Sequence, residues 1–343
     1  MKPRAVADAL DVDAVDRWLK ERVPALAGEP VVTQYTGGAS NWTYLLHYPG
    51  ADLVLRRPPA GTKARSAHDM GREHAVQQAL YGVFPFVPQM VAHCADPGVI
   101  GAEFYVMRRV EGAVPRKDLE LDPEQARRLS ESFVDTLVVL HSVDPGKAGL
   151  SSLGKGPGYA RRQIEGWSDR YRRARTWNVP AFEDVMAWLA ARVPEDSAAC
   201  IVHNDFRLDN LVLDPADPTR IRAVLDWEMA TIGDPMMDLG NSLAYWTEAG
   251  DGWLALRIRR QPTHLPGMLT RAEIAARYFA KRGLPPRDTT FYEVYGLFRL
   301  AVIVQQIYFR YHRKETRNPA FRSFWLVVGH LHRRCRRRMR ASS

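Results

Sequence analysis

Cysteine is scarce: Cys94, Cys200 and Cys335 are the three in 343 residues. They are odd in number, far apart and not at metal-ligand spacing, which argues against a disulfide framework or zinc site and suits free thiols in a reducing compartment. Long apolar runs are also missing, and none approaches the ~20 residues needed to cross a bilayer. Asp8, Asp11, Asp13 and Asp16 crowd the beginning of the sequence, unlike a signal peptide. The expected location is therefore cytoplasmic. No repeat period occurs. With 46% hydrophobic and 25% charged residues, the composition is that of an ordinary globular protein long enough for two core-forming units.

An excess of acid is absent too, for the net charge is +9. Much of the surplus is local: Arg333, Arg334, Arg336, Arg337, Arg338 and Arg340 cluster near the end. That cluster reads either as the solvated end of a last helix or as a surface for anionic partners. No nucleic-acid-binding motif accompanies it, so nucleic acid is not an expected partner.

What is present is densest at His203-Asn204-Asp205-Phe206-Arg207-Leu208-Asp209-Asn210, followed by Asp226-Trp227-Glu228. This is the layout of a phosphoryl-transfer site. Asp205 is placed to orient or deprotonate an attacking hydroxyl, and Asn210 and Asp226 supply hard oxygen ligands for Mg²⁺. Residues 211–213 and 221–225 read as two apolar strands around a turn rich in Asp and Pro. A hairpin centred near Pro218 pairs positions whose numbers sum to about 436, which sets Asn210 beside Asp226.

His203-x-Asp205 with Asn210, the returning strand ending in Asp226, and Gly233-Asp234-Pro235-Met236-Met237-Asp238-Leu239 together resemble the catalytic core of the aminoglycoside phosphotransferase and choline kinase superfamily. Three further stretches narrow the resemblance: Gly37-Gly38-Ala39-Ser40-Asn41, Val54-Leu55-Arg56-Arg57-Pro58-Pro59 and Glu103-Phe104-Tyr105-Val106-Met107. They are similar to the kinase-like domain found fused to, or encoded near, acyl-CoA dehydrogenases. The resemblance implies an α+β, two-lobed protein-kinase-like fold. A small antiparallel-sheet lobe would span residues 1–110 and a larger, mostly helical lobe residues 111–343.

It also implies ATP and Mg²⁺ as cofactors, transfer of the γ-phosphoryl group to a small-molecule hydroxyl, and a functional link to an acyl-CoA dehydrogenase. Gly38, Ser40 and Asn41 would belong to the phosphate-covering loop, although a Gly-Gly pair is also an ordinary hairpin turn. Val54 would touch the adenine and Arg56, two residues along the same strand face, the phosphates. Arg56 stands where this fold usually has a lysine, with Glu73 as its carboxylate partner and Arg57 as the alternative. Met107 and Val110 would wall the nucleotide pocket, with backbone groups of residues 108–110 at the adenine edge.

Residues 11–23 read as an opening helix that caps the first lobe, and residues 124–140 as the central helix beneath the site. His141 reads as a cap or packing residue, His203 as a support of the loop backbone, Asp234 and Asp238 as scaffold, and Asp209 and Glu228 as secondary groups near the metal. In residues 159–177, Arg161, Arg162, Arg170, Arg172, Arg173 and Arg175 lie among Trp167 and Tyr171. This segment either overhangs the acceptor side or is an amphipathic helix with a solvated basic face. A basic cleft favours an anionic acceptor over a polycationic aminoglycoside. The implied acceptor class is a hydroxyacyl thioester. The alternatives are an aminoglycoside, amino-alcohol or sugar kinase, and a catalytically silent nucleotide-binding module, against which the complete Asp205, Asn210 and Asp226 set argues.

Overall fold

The computed structural model describes residues 10–35, 41–59 and 69–341. It has the expected α+β, two-lobed kinase-like fold, built from an antiparallel sheet and a larger helical body. Helix α1 (Val12–Arg22) starts at Asp11, whose carboxylate accepts from the Ala14 N–H. Strands β1 (Val31–Tyr35), β2 (Trp42–Tyr48) and β3 (Ala51–Arg57) follow, then helix α2 (Met70–Leu80), β4 (Met90–Cys94) and β5 (Phe104–Arg108). The sheet order is β1-β2-β3-β5-β4, antiparallel throughout.

Alternation along the strands decides what each face does. In β2, Trp42, Tyr44, Leu46 and Tyr48 are buried. They join Leu53 and Leu55 of β3, Phe104 and Val106 of β5, and Val15, Trp18 and Leu19 of α1 in one core, with Trp18 edge-on to Phe104 at 4.9 Å. The opposite face carries Val54, Arg56, Tyr105 and Met107 towards the cleft. Arg57 therefore points away from the cleft: its guanidinium lies 4.7 Å from the Trp42 ring centre, and it donates to the Tyr44 hydroxyl.

The connection between the lobes is stitched to the catalytic hairpin. Ala113 and Leu213 exchange backbone hydrogen bonds of 3.0 and 2.8 Å. Gly112, at φ 151°, passes so close that a Cβ there would lie 2.2 Å from the Leu213 carbonyl oxygen, so only glycine fits.

Beyond it, helix α3 (Pro123–His141) opens with a capping box between Asp122 and Gln125. Its buried stripe Leu129, Phe133, Leu137 and Leu140 forms the core under the site with Trp227, Leu239, Trp246 and Tyr278. Helices α4 (Tyr159–Ala174) and α5 (Glu183–Ala190) come next, then β6 (Cys200–Val202), β7 (Leu211–Leu213), β8 (Ile221–Val224) and β9 (Thr231–Gly233). Helices α6 (Pro235–Tyr245), α7 (Trp253–Ile258), α8 (Arg271–Lys281), α9 (Thr290–His312) and α10 (Phe324–Arg340) complete the chain. Among the described residues no helix is long and apolar enough to cross a membrane.

The β7–β8 register is one residue from that expected. Leu211 pairs with Val224, a bulge shifts the pairing at Leu213, and the Leu225 N–H reaches the Asn210 carbonyl at 2.8 Å. Asp226 thus leaves the ladder immediately after Asn210's partner. Helices α6 and α9 cross in direct backbone contact, where a Cβ on Gly296 would lie 2.1 Å from the Gly240 carbonyl oxygen. Gly296→Ala should therefore cost about 1–3 kcal/mol of stability, the range for overpacking. Chemical denaturation measures it, and an unchanged midpoint would show that the crossing is loosely packed.

Candidate active site

The loop after β6 is held from below by a buried carboxylate. Asp238 of α6 accepts from the backbone N–H of His203 at 2.7 Å and of Asn204 at 2.8 Å. Its Oδ2 also meets His141 Nε2 at 3.2 Å, and His141 Nδ1 meets the Tyr278 hydroxyl at 2.8 Å. Burial disfavours the Asp238 charge, but His141 and His203 outweigh it, so its pKa stays low. His203 has a fixed tautomer: Nε2–H donates to the Leu225 carbonyl at 3.0 Å, while Nδ1 accepts from the Asp205 N–H at 3.2 Å. Burial pushes its pKa down, in keeping with a neutral imidazole. Asn204 takes the left-handed conformation at φ 65° to make the turn. Asp234 caps α6 through the Met236 N–H at 2.6 Å and also holds Ser197.

This framework presents Asp205, whose Oδ2 accepts from Asn210 Nδ2 at 2.9 Å and from Arg207 Nε at 3.0 Å. Asn210 donates through the same nitrogen to the Asp205 carbonyl, so its Oδ1 remains for another partner. Arg207 also reaches Asp209 Oδ2 at 3.0 Å, and its guanidinium lies 5.0 Å from the Tyr245 ring centre. Sequence reasoning had no role for Arg207, although its position two residues beyond Asp205 was the available signal.

The opposing wall comes from the sheet lobe. Arg56 donates to Glu73 Oε1 at 2.6 Å, to Asp226 Oδ1 at 3.0 Å and to the Tyr105 hydroxyl at 3.3 Å. The Glu73 side chain is fully buried, and Arg56 Nε is buried without a partner. Asp226 adopts the left-handed conformation, φ 70° and ψ 59°, which breaks β8 and turns its carboxylate towards Arg56. Burial works against the Asp226 charge, and Arg56 outweighs it, leaving the pKa below the ordinary value.

Other expected residues gather nearby. Val54 stands opposite Met107 and packs in a small cleft-side cluster with Met70, Met90 and Tyr105. Asn41 is buried and its Nδ2 meets Glu228 Oε2 at 3.4 Å. Gly38 and Ser40 lie outside the described residues. Val110 is half-buried at the lobe connection. The N–H groups of Arg108 and Arg109 already donate to Gln89 and Asp52 carbonyls, at 2.8 and 3.0 Å. Among the described residues, the Val110 N–H has no backbone acceptor, so of the backbone groups expected at the adenine edge it is an available donor. Sequence reasoning also missed Arg72, which clamps α2 to the segment after Asp226 through the Glu228 and Ala230 carbonyls.

Glu228 has its pKa pushed up to about 8 by burial, then by the charges of Asp226 and Glu73. A carboxyl raised on folding favours the folded state fully below its unfolded pKa, and that support is lost as pH rises through about 8. Glu228→Gln removes this titration. Its melting temperature should therefore fall less than that of the wild type between about pH 5 and pH 9. Parallel curves for the two proteins would remove Glu228 from the network.

Among the described residues, no cluster of three or more His, Cys, Asp or Glu side chains could hold a metal alone. One amide oxygen and one carboxylate, Asn210 and Asp226, nevertheless fit Mg²⁺, which keeps several waters and takes ligands from nucleotide phosphates. Arg56 on Asp226 shows that this carboxylate already accepts a cation.

Residues 31–274 match the phosphotransferase enzyme family. Acyl-CoA dehydrogenase family member 11 of Rattus norvegicus is 35% identical over 317 residues, which cover 88% of this chain and 40% of that protein. The chain thus spans about two fifths of that relative. A crystal structure of a Ralstonia eutropha protein, described as a candidate aminoglycoside phosphotransferase, superimposes with a TM-score of 0.78 at 30% identity, covering 96% of this chain and 99% of the other. The ternary complex of a thermostable aminoglycoside phosphotransferase APH(4)-Ia mutant with AMP-PNP and hygromycin B shares the fold, with a TM-score of 0.60 at 17% identity, covering 94% of this chain and 98% of the other. With the fold, the Asp205 loop and these matches in agreement, this chain belongs to the phosphotransferase enzyme family.

Proposed function

We propose that the chain transfers the γ-phosphoryl group of ATP, with Mg²⁺, to the hydroxyl of an anionic small molecule, with a hydroxyacyl thioester as the leading class. The observation that carries this reading is the approach of two charged sets across the lobe junction. On one side Asp205 is bonded to Asn210, with Asp226 leaving the strand next to them; on the other Arg56, held by Glu73, reaches across to Asp226. Asp205 orients the acceptor hydroxyl and receives its proton as the oxygen attacks the γ-phosphorus and ADP departs. Asn210 Oδ1 and the Asp226 carboxylate would hold Mg²⁺, which would supply neutralisation of phosphate charge. Arg56, held by Glu73, would turn the nitrogen now on Asp226 to phosphate, and Val54, Met107 and Val110 would enclose the adenine. Gly38, Ser40 and Asn41 cover the phosphates. Alignment and charge neutralisation supply the catalysis, since the loose transition state asks for little covalent help.

The named relative couples the thioester reading to acyl-CoA chemistry, and the basic character of the chain agrees with an acidic acceptor. The same relative supports a functional link to an acyl-CoA dehydrogenase, and three free, buried cysteines suit the cytoplasm. A coupled ADP-release screen across hydroxyacyl-CoAs, sugars, amino alcohols and aminoglycosides tests the proposal. Turnover confined to aminoglycosides or amino alcohols would contradict it.

A further inference from the structure

Arg299 sits in the middle of α9, in the otherwise apolar run Leu297-Phe298-Arg299-Leu300-Ala301-Val302. It is 3% exposed, yet it makes no hydrogen bond and no ion pair among the described residues. Its one close partner is a ring: the guanidinium lies 5.2 Å from the centre of Trp167. Two partly buried arginines of the site are, by contrast, paired, Arg56 with Glu73 and Arg207 with Asp205. An arginine enclosed without a counter-charge is costly unless an anion arrives to complete it.

The surroundings say where that anion comes from. Tyr159 donates its hydroxyl to Asn204 Oδ1 at 2.9 Å, one residue before Asp205. Trp167 is tied to Gln163 at 3.0 Å, and the Tyr295 hydroxyl meets the same Gln163 oxygen at 3.5 Å. Tyr245 lies under Arg207, its ring centre 5.0 Å from that guanidinium. Burial opposes the Arg299 charge, but its electrostatic surroundings outweigh this and hold the pKa up, and Asp205 is a carboxylate that contributes. Arg207 already occupies Asp205 and offsets its negative charge, so a second anion can approach without strong repulsion. The contact of Gly240 with Gly296 fixes α9 against α6 one turn away from Arg299, which holds the guanidinium in place.

Three arginines of α4 already have partners, one of them on the same Trp167 ring. Arg172 forms a double hydrogen bond with Glu183, Arg162 caps the Gly156 and Pro157 carbonyls, and Arg170 lies over Trp167 from an exposed position.

We propose that Arg299 is the acceptor-binding residue for an oxyanion carried by the substrate, held beside an aromatic wall so that the hydroxyl meets Asp205. This deepens the phosphotransferase reading of the site and rests on it. The planar fork of a guanidinium matches a carboxylate or a phosphate, the two oxyanions that a hydroxy acid and its CoA conjugate offer.

The test is calorimetric binding in the presence of Mg²⁺ and a non-hydrolysable ATP analogue. The probes are 3-hydroxybutyrate, its neutral methyl ester and 3-hydroxybutyryl-CoA. In the wild type, at least one anionic probe should bind at least about tenfold more tightly than the ester. Arg299→Gln should abolish that preference and leave the ester and the nucleotide unchanged, and Arg299→Lys should retain part of it. Loss confined to the free acid identifies a carboxylate, and loss confined to the conjugate identifies CoA phosphate. The wild-type comparison needs no variant, so a folding defect in Arg299→Gln does not obscure the answer. The inference is overturned if the wild type binds no anionic probe better than the ester, or if the Gln variant binds both anions as the parent does. ADP release with other acceptors would then leave the phosphotransferase reading standing.

Discussion

Asp205→Asn should lower phosphoryl transfer by roughly 10²-fold or more, the scale of a general base, while nucleotide affinity stays within a few-fold. The substitution keeps size and hydrogen-bonding reach but removes charge and basicity. It disturbs few neighbours, because Asn210 and Arg207 are the two side-chain donors to Asp205 Oδ2. The loop itself hangs on Asp238 and His203 through backbone hydrogen bonds, which the substitution leaves alone. Arg207 keeps Asp209 as a partner. The effect should therefore appear in turnover and not in melting temperature. A large loss of nucleotide affinity would instead assign Asp205 to the metal.

Asp226→Asn should weaken the Mg²⁺-dependent part of ATP binding by at least about tenfold, or about 1.4 kcal/mol. Asparagine tolerates the left-handed backbone that Asp226 adopts, so the fold is preserved, whereas alanine there adds strain of about 1–2 kcal/mol. The variant also removes the anionic partner of Arg56 Nη2, leaving Glu73 to hold the guanidinium. Metal-independent nucleotide binding should thus survive. Calorimetry with ATP, with and without Mg²⁺, separates the two terms. Equal metal dependence in parent and variant would rule out Asp226 as a ligand.

The strands and the catalytic hairpin were legible because period-two alternation and turn-forming residues are local signals. The hairpin arithmetic missed by a single residue, since the bulge at Leu213 has no signature in the turn. The choice between Arg56 and Arg57 was open in the sequence because both faces of β3 are rich in apolar residues. Burial of Trp42 and Tyr44 against α1 turns Arg57 away from the cleft and leaves Arg56 facing Glu73. His141 looked like a packing residue and is buried as one, yet it supports Asp238 and through it the loop, a link of 97 residues that no local pattern encodes.

The acceptor side was the least legible. Six arginines in residues 159–177 drew attention because they are clustered, but several serve their own helix and its neighbours. Arg299 was hidden in a helix read as aromatic core. A lone cation inside an apolar helical run was the signal, and it acquires meaning only when folding leaves the charge buried without a counter-ion.

The measurement that tests the account most directly follows ATP consumption and product together, with 3-hydroxybutyryl-CoA as acceptor, in the parent and in Asp205→Asn. The account predicts one phosphorylated thioester per ADP released by the parent, dependent on Mg²⁺, and almost none from the variant, with both proteins binding Mg²⁺–ATP. Equal turnover by the two proteins, or tight nucleotide binding with no transfer to this or any other hydroxyl by the parent, would contradict it.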